Sequence, residues 1–450
     1  MIFRKIRINI RTVQLAMASM AAALFPFYAV ASTAQEQTAY SVSSSVQSLE
    51  AYVDTMPQSL PSSMEISPVK NKQGHWSLSL NLNESYLSGN DEYASETIHS
   101  RCVGYYDFRM SWQANPETTL AYDQALKRPK FMMGLLYADF DHLHIYKEDK
   151  PFESKIGQIY TAFIGMNLAL VRKGRWTASA EILNGVGYCP NSYDENYNQD
   201  QELIGSPFSI FVGGGVNAAF RLSPRWSVAL GIDFKHYSNA TLDRPNRGVN
   251  TMGGTVSLSY DLEPQPLRHK ELSDLPQADE PEPYPKNFYV EGVVGVAGKA
   301  LFDRFEIYGE KHNPIYGSFT TMLSAMWRWH LVNASGVGLD YTYADYVYRI
   351  RDYDLMREKT GYKYSPHIMG LSLRHEWFYH HMSLNVGLGV YLKKQSGYTA
   401  SLRESRIYQT VSLRYSIPYT HDRLFLGYTI KAHKFSRVDN AQIILGCRIN

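Results

Sequence analysis

Cysteine is scarce in this chain: 450 residues contain three, Cys102, Cys189 and Cys447. Three thiols cannot all pair within one chain, so a disulfide framework is excluded, although one bridge, Cys102 with Cys189, is compatible with an oxidising compartment. Their spacings match no zinc site, and no metal or other cofactor is expected. An excess of one charge is also missing, since 45 Lys and Arg against 43 Asp and Glu leave +2. Nucleic-acid binders carry a basic footprint, and none is present here. Beyond the N-terminal segment no run approaches the roughly 18 consecutive apolar residues that a spanning helix needs. Nor does a Gly-rich phosphate loop occur between a strand and a helix.

The N-terminus places Arg4, Lys5, Arg7 and Arg11 before an apolar run that ends in small residues at Ala29, Ala31 and Ala34. That order predicts a secretory signal over 1–34. Aromatics are abundant, with 34 Tyr, 19 Phe and 7 Trp beside 31 Gly, yet mean hydropathy is only −0.32. Such a balance suits a transmembrane barrel, in which only alternate residues meet lipid.

Residues 382–393, "MSLNVGLGVYLK", set Met382, Leu384, Val386, Leu388, Val390 and Leu392 on one face and mainly polar or small residues on the other. A period of two over this length is a strand with one apolar side. The same alternation predicts strands at 76–86, 102–114, 131–145, 156–172, 176–189, 207–221, 225–239 and 249–262. A second set follows at 287–298, 314–330, 336–349, 366–378, 382–394, 404–416, 422–433 and 440–450. The fold class is therefore all-β, an antiparallel transmembrane barrel of about 16 strands in two sets of eight, closed either as one large barrel or as two. Connections at 173–175, 222–225, 331–335 and 379–381 are short and belong on the periplasmic side, whereas the longer alternate ones belong outside. The connection 115–130 is a long inner exception. The domain reading is a polar periplasmic segment at 35–75, a first unit at 76–262, a Pro- and charge-rich linker at 263–286 and a second unit at 287–450.

Within "RWSVALGIDFKHYS", Trp226, Val228, Leu230, Ile232, Phe234, His236 and Ser238 share a face, and Asp233 and Lys235 lie on the other. Charges are costly in hydrocarbon, so the first face is the lipid side and His236 and Ser238 point outward near the extracellular end. Asn250, on the outward face of the next strand, falls beside them across the 240–248 loop. Hydrogen-bonding side chains at that depth suit a lipid substrate of the outer leaflet; the plainer reading is interfacial polarity.

"HYSNA" followed by "PNRGVN" resembles the motif region of the lipid A 3-O-deacylases, the PagL-like family with its broader acyloxyacyl hydrolase group. The resemblance is most specific over 236–250 and extends loosely over 130–262. The end of the chain, "LGYTIKAHKFSRVDNAQIILGCRIN", is similar to the extra region of longer, Bacteroides-type members. The family implies an outer-membrane esterase that removes the acyl chain at the 3-position of lipid A, with lipopolysaccharide as its partner. By position Ser238 is then the nucleophile and His236 the general base, and the backbone N–H groups of Asn239 and Ala240 form the oxyanion hole. A serine hydroxyl is a weak nucleophile until an imidazole takes its proton, and the developing oxyanion needs fixed donors. Asn250 stands where the family has Glu, twelve residues after the serine. An amide can orient the imidazole but not neutralise the imidazolium, so a weakened enzyme is expected. Asp243 is the other candidate acid.

Two readings compete with this one. A non-catalytic barrel, serving as a pore or a structural protein, would account for the missing acid and the extra strands. Another surface lipid would change the substrate alone. Elsewhere, His142 and His144 form a candidate metal pair at a strand end, though polar decoration is the plainer reading. His380 and His381 read as solvated turn residues, Glu181, Arg221, Asp233 and Lys235 as a lumen ion network, and Trp176 and Trp226 as an interfacial girdle.

Overall fold

The computed structural model describes residues 74–89, 92–146, 153–269, 287–301, 314–434 and 437–449. The signal segment, the polar stretch up to residue 73 and the linker beyond His269 lie outside these.

Among the described residues the alternating segments form sixteen strands. β1 (Gly74–Leu87), β2 (Cys102–Ala114), β3 (Lys130–Asp139), β4 (Gln158–Lys173), β5 (Trp176–Tyr188), β6 (Phe208–Arg221), β7 (Trp226–Ser238) and β8 (Val249–Asp261) pair antiparallel in sequence order. β8 then closes on β1, from Ser77↔Asp261 to Leu87↔Thr251. With both edges of β1 paired, no free edge is left to continue the sheet. A second barrel is made by β9 (Phe288–Ala300), β10 (Ile315–His330), β11 (Asn333–Tyr343), β12 (His367–Tyr379), β13 (Met382–Lys393), β14 (Ile407–Ser416), β15 (Leu424–His433) and β16 (Arg437–Ile449), with β16 pairing to β9. The architecture is thus two closed eight-stranded barrels, not one of sixteen.

All seven tryptophans, Trp76, Trp112, Trp176, Trp226, Trp327, Trp329 and Trp377, sit at strand ends on the short-turn side. Their amphipathic rings mark the inner membrane interface, which places the long loops outside.

Eight strands enclose an interior that side chains can fill. In the first barrel Arg109 lies 2.6 Å from Asp107 and 3.0 Å from Glu181, while Lys235 lies 2.7 Å from Asp233. Arg221 does not join them: it pairs with Asp261 at 2.8 Å near the inner rim. Above this network Tyr105, Phe140, Phe163, Phe211 and Tyr237 form an aromatic core beneath the outer loops. In the second barrel the completely buried Glu291, Glu376 and Arg414 interlock, with Arg448 joining through Glu376 at 2.7 Å.

Two strands are shorter than the alternation suggested. β3 stops at Asp139, and His142 and His144 follow it in irregular chain. β11 stops at Tyr343 and gives way to a helix, Tyr346–Met356. Its buried residues, Tyr346, Val347, Ile350, Tyr353 and Asp354, recur at helical spacing, a signal that the preceding alternation masked.

The long inner connection has a structural role. Its short helix, Ala121–Ala125, rests against the second barrel: Tyr379 Oη donates to the buried Asp123 at 2.7 Å, and Arg328 donates to Tyr122 Oη at 3.0 Å. His380 packs its ring 4.8 Å from Tyr122, and His381 lies 2.8 Å from Asp422, so neither is simply solvated. Cys102, Cys189 and Cys447 are free thiols, so the Cys102–Cys189 bridge is not formed.

Candidate active site

β7 carries the site because its two faces differ. Trp226, Leu230, Ile232 and Phe234 are exposed to the outside, whereas Lys235 and Tyr237 are buried in the lumen. His236 and Ser238 belong to the first set. A one-residue slip would turn both inward, and the register is fixed on both sides, with His236 opposite Val212 and Asn250.

Across this ladder Asn250 Oδ1 lies 2.8 Å from His236 Nδ1. An amide oxygen only accepts, so Nδ1 carries the proton and Nε2 is left with its lone pair. His236 Nε2 is buried and has no hydrogen-bond partner. The Asp243 carboxylate instead accepts the Arg244 N–H at 2.8 Å.

Ser238 faces outward yet is only 7% exposed, because the loop 239–248 folds back over it. Two donors converge on its hydroxyl oxygen: the Ala240 N–H at 3.2 Å and Asn246 Nδ2 at 2.9 Å. The Asn239 N–H points elsewhere, to Asn246 Oδ1 at 3.3 Å. Ser238 and His236 share no direct hydrogen bond in this conformation, and active-site bonds often tighten only when substrate is bound. No local pattern in the sequence marks Asn246, since only the folded-back loop brings it to the serine eight residues earlier.

The loop is gripped by the β5–β6 connection. Glu202 O and Leu203 O accept the N–H groups of Arg247 and Gly248 at 3.0 and 2.9 Å, and Asn239 Nδ2 reaches Ser206 Oγ at 3.1 Å. Two glycines permit this approach. A Cβ on Gly205 would stand 1.7 Å from Pro245 O, and Gly248, with φ of 79°, would press a Cβ to 3.1 Å from His236 Cε1.

Other candidates do not assemble. His144 pairs with Glu153, and His142 is exposed. A second serine–histidine contact exists on the outward face of the second barrel, Ser335 Oγ to His375 Nδ1 at 2.9 Å, with Trp329 Nε1 donating to the serine at 3.2 Å. Those two residues sit opposite each other inside a regular ladder, where strand pairing consumes the backbone donors an oxyanion would need.

Two family models match the chain: lipid A 3-O-deacylase (PagL) over residues 104–259, and acyloxyacyl hydrolase, C-terminal domain, over residues 287–450. The chain belongs to the PagL-like family. It is therefore a member of a family of outer-membrane hydrolases that act on lipid A esters, and each matched segment falls on one barrel. Comparison with curated proteins gives no match. Among solved structures, Neisserial surface protein A is 9% identical, with 42% of this chain and 96% of that one covered and a TM-score of 0.23. A triple mutant of Rhodopseudomonas blastica porin is 6% identical over 84% of this chain and 100% of that one, with a TM-score of 0.15. CdiB from Acinetobacter baumannii is 8% identical over 83% and 60%, with a TM-score of 0.17.

Proposed function

We propose that this PagL-like protein is a serine esterase that releases the 3-O-linked acyl chain of lipid A, with Ser238 as nucleophile, His236 as general base and Asn250 as the group that orients it. The observation that carries this reading is the convergence of the Ala240 N–H and Asn246 Nδ2 on Ser238 Oγ, beside an outward-facing histidine whose unprotonated Nε2 is unpartnered. An extended strand offers no such donors, and the folded-back loop supplies two.

Rotation of Ser238 about Cα–Cβ exchanges these donors for His236 Nε2. Oγ then attacks the ester carbonyl as its proton passes to Nε2, and the Ala240 N–H and Asn246 amide are released to receive the new oxyanion. Collapse of the tetrahedral intermediate breaks the bond to the sugar oxygen, which takes the proton from His236. Water, deprotonated by His236, then cleaves the acyl-enzyme to the free fatty acid and restores Ser238. The oxyanion pair is accordingly Ala240 and Asn246, in place of Asn239 and Ala240.

Mass spectrometry of lipid A from cells expressing correctly inserted wild type, Ser238→Ala and Asn246→Ala tests the reading. Loss of one hydroxyacyl chain with the wild type only, and a roughly 100-fold slower release with Asn246→Ala, is expected from removal of one oxyanion donor. Unaltered lipid A with the wild type would leave a barrel that keeps the family fold without its chemistry.

A further inference from the structure

The site loop has a second neighbour, the other barrel. Thr241 O accepts the Ala300 N–H at 2.7 Å, Thr241 Oγ1 donates to Asp439 O at 2.8 Å, and Arg244 Nε donates to Ala300 O at 3.3 Å. Leu242 packs over Gly298, where an added Cβ would stand 3.3 Å from it. Thr241 and Arg244 are 4% and 5% exposed, so the seam between the barrels is closed around them.

The backbone at this point is strained. Thr241 has φ of 69° and follows Ala240 at φ of 53°, both in the left-handed region. A β-branched residue is a rare occupant of that region, and such a conformation persists only when its surroundings over-determine it. The surroundings that hold Thr241 by its carbonyl and its hydroxyl are the ends of β9 and β16. Those strand ends are themselves pinned, since Lys299 bonds the Asp439 carboxylate and lies 2.9 Å from Glu404. One residue before Thr241, the Ala240 N–H reaches Ser238.

We infer that the second barrel is a positioning element for the catalytic loop, acting through Thr241 and Arg244 to hold the strained turn that aims the Ala240 N–H. The inference rests on the serine-esterase reading above and gives the extra eight strands a part in catalysis. Thr241 and Arg244 are positioning residues: Thr241 Oγ1 and Arg244 Nε bond the second barrel and act on the serine only through the loop.

The test uses the full-length protein in outer-membrane vesicles, with lipid A turnover and Ser238 labelling by a fluorophosphonate probe as readouts. Thr241→Val keeps shape and β-branching but loses the hydroxyl, whereas Thr241→Ser keeps the hydroxyl. Correct folding of each variant is checked by heat-modifiable migration. For Thr241→Val the expected result is a kcat about tenfold lower at unchanged KM, with labelling slowed in parallel, and Thr241→Ser close to wild type. Combining Thr241→Val with Arg244→Met deepens the loss, and hydrogen exchange at the Ala240 amide rises with it. Wild-type kcat and labelling in the folded double variant would overturn the inference while leaving the esterase intact. A folded wild type that neither labels nor turns over lipid A would overturn the esterase reading first, and positioning for catalysis with it.

Discussion

His236 and Asn250 face each other across the β7–β8 ladder with Nδ1 and Oδ1 2.8 Å apart. The contact selects the imidazole tautomer that a general base requires, through a partner that carries no charge. In the esterase proposed above, Asn250 would orient the ring without the charge compensation that a carboxylate adds in most serine hydrolases.

Restoring the charge should therefore quicken the reaction. A charge-assisted hydrogen bond exceeds a neutral one by roughly 1.5 kcal/mol, or about tenfold in rate. Asn250→Asp, which changes charge at nearly constant shape, is expected to raise kcat by about that factor in single-turnover deacylation assays, with Asn250→Glu as the longer alternative. A fall in kcat with either variant would mean that the amide does more than orient the ring.

Gly205 tests the grip on the loop from its other side. Its replacement by Ala puts a methyl where the Pro245 carbonyl stands, 1.7 Å away, so the loop or its neighbour must move. Misplacement of a catalytic group by about 1 Å costs on the order of 100-fold. We expect kcat in Gly205→Ala to fall by between tenfold and 100-fold while barrel stability in urea is retained. Unchanged turnover would show that the loop adjusts without disturbing Ser238.

A contact at the base of the first barrel is expected to act as a pH-dependent latch. His269, at the start of the linker, bonds Thr177 Oγ1 through Nε2 at 2.8 Å and donates its N–H to Gly174 O at 2.8 Å. Burial, followed by Arg172, Arg221 and Arg128, lowers its pKa to about 4. The unlatched chain, with an ordinary value near 6.5, then binds more protons than the latched one between pH 6.5 and 4. Latching is fully favoured above that window and weakens as pH falls through it. Hydrogen exchange at the His269 amide, corrected for intrinsic rates, should be more protected at pH 7.5 than at pH 5, and the difference should vanish in His269→Gln. Equal protection at the two pH values in the wild type would remove the latch.

Both lumens are filled by paired charges, and Arg414, Glu291 and Glu376 are inaccessible to solvent. Purified protein in planar bilayers should accordingly give no unitary ion conductance. Stable conductance steps that track the protein concentration would favour the pore reading over a plugged pair of barrels.

Much of this protein follows from a local rule. Side-chain direction in a strand has a period of two, so the alternation in Trp226–Ser238 was enough to put His236 and Ser238 outside and Lys235 inside, and the same rule counted sixteen strands. The motif spacing was also legible, since residues 236, 238 and 250 lie within a single hairpin. What the period cannot encode is the choice of distant partners. Whether β8 pairs with β1 or with β9 depends on hydrogen bonds between residues up to about 180 positions apart, and that choice alone made two barrels of one sequence pattern. The same limit hid Asn246, which reaches Ser238 only because the loop reverses through left-handed residues, and the docking of Thr241 onto Asp439, 198 residues away. Loop conformation and barrel contact are settled by burial and strain summed over the whole fold, so tertiary structure decided how a strand-end serine, outward by sequence, came to be enclosed by donors.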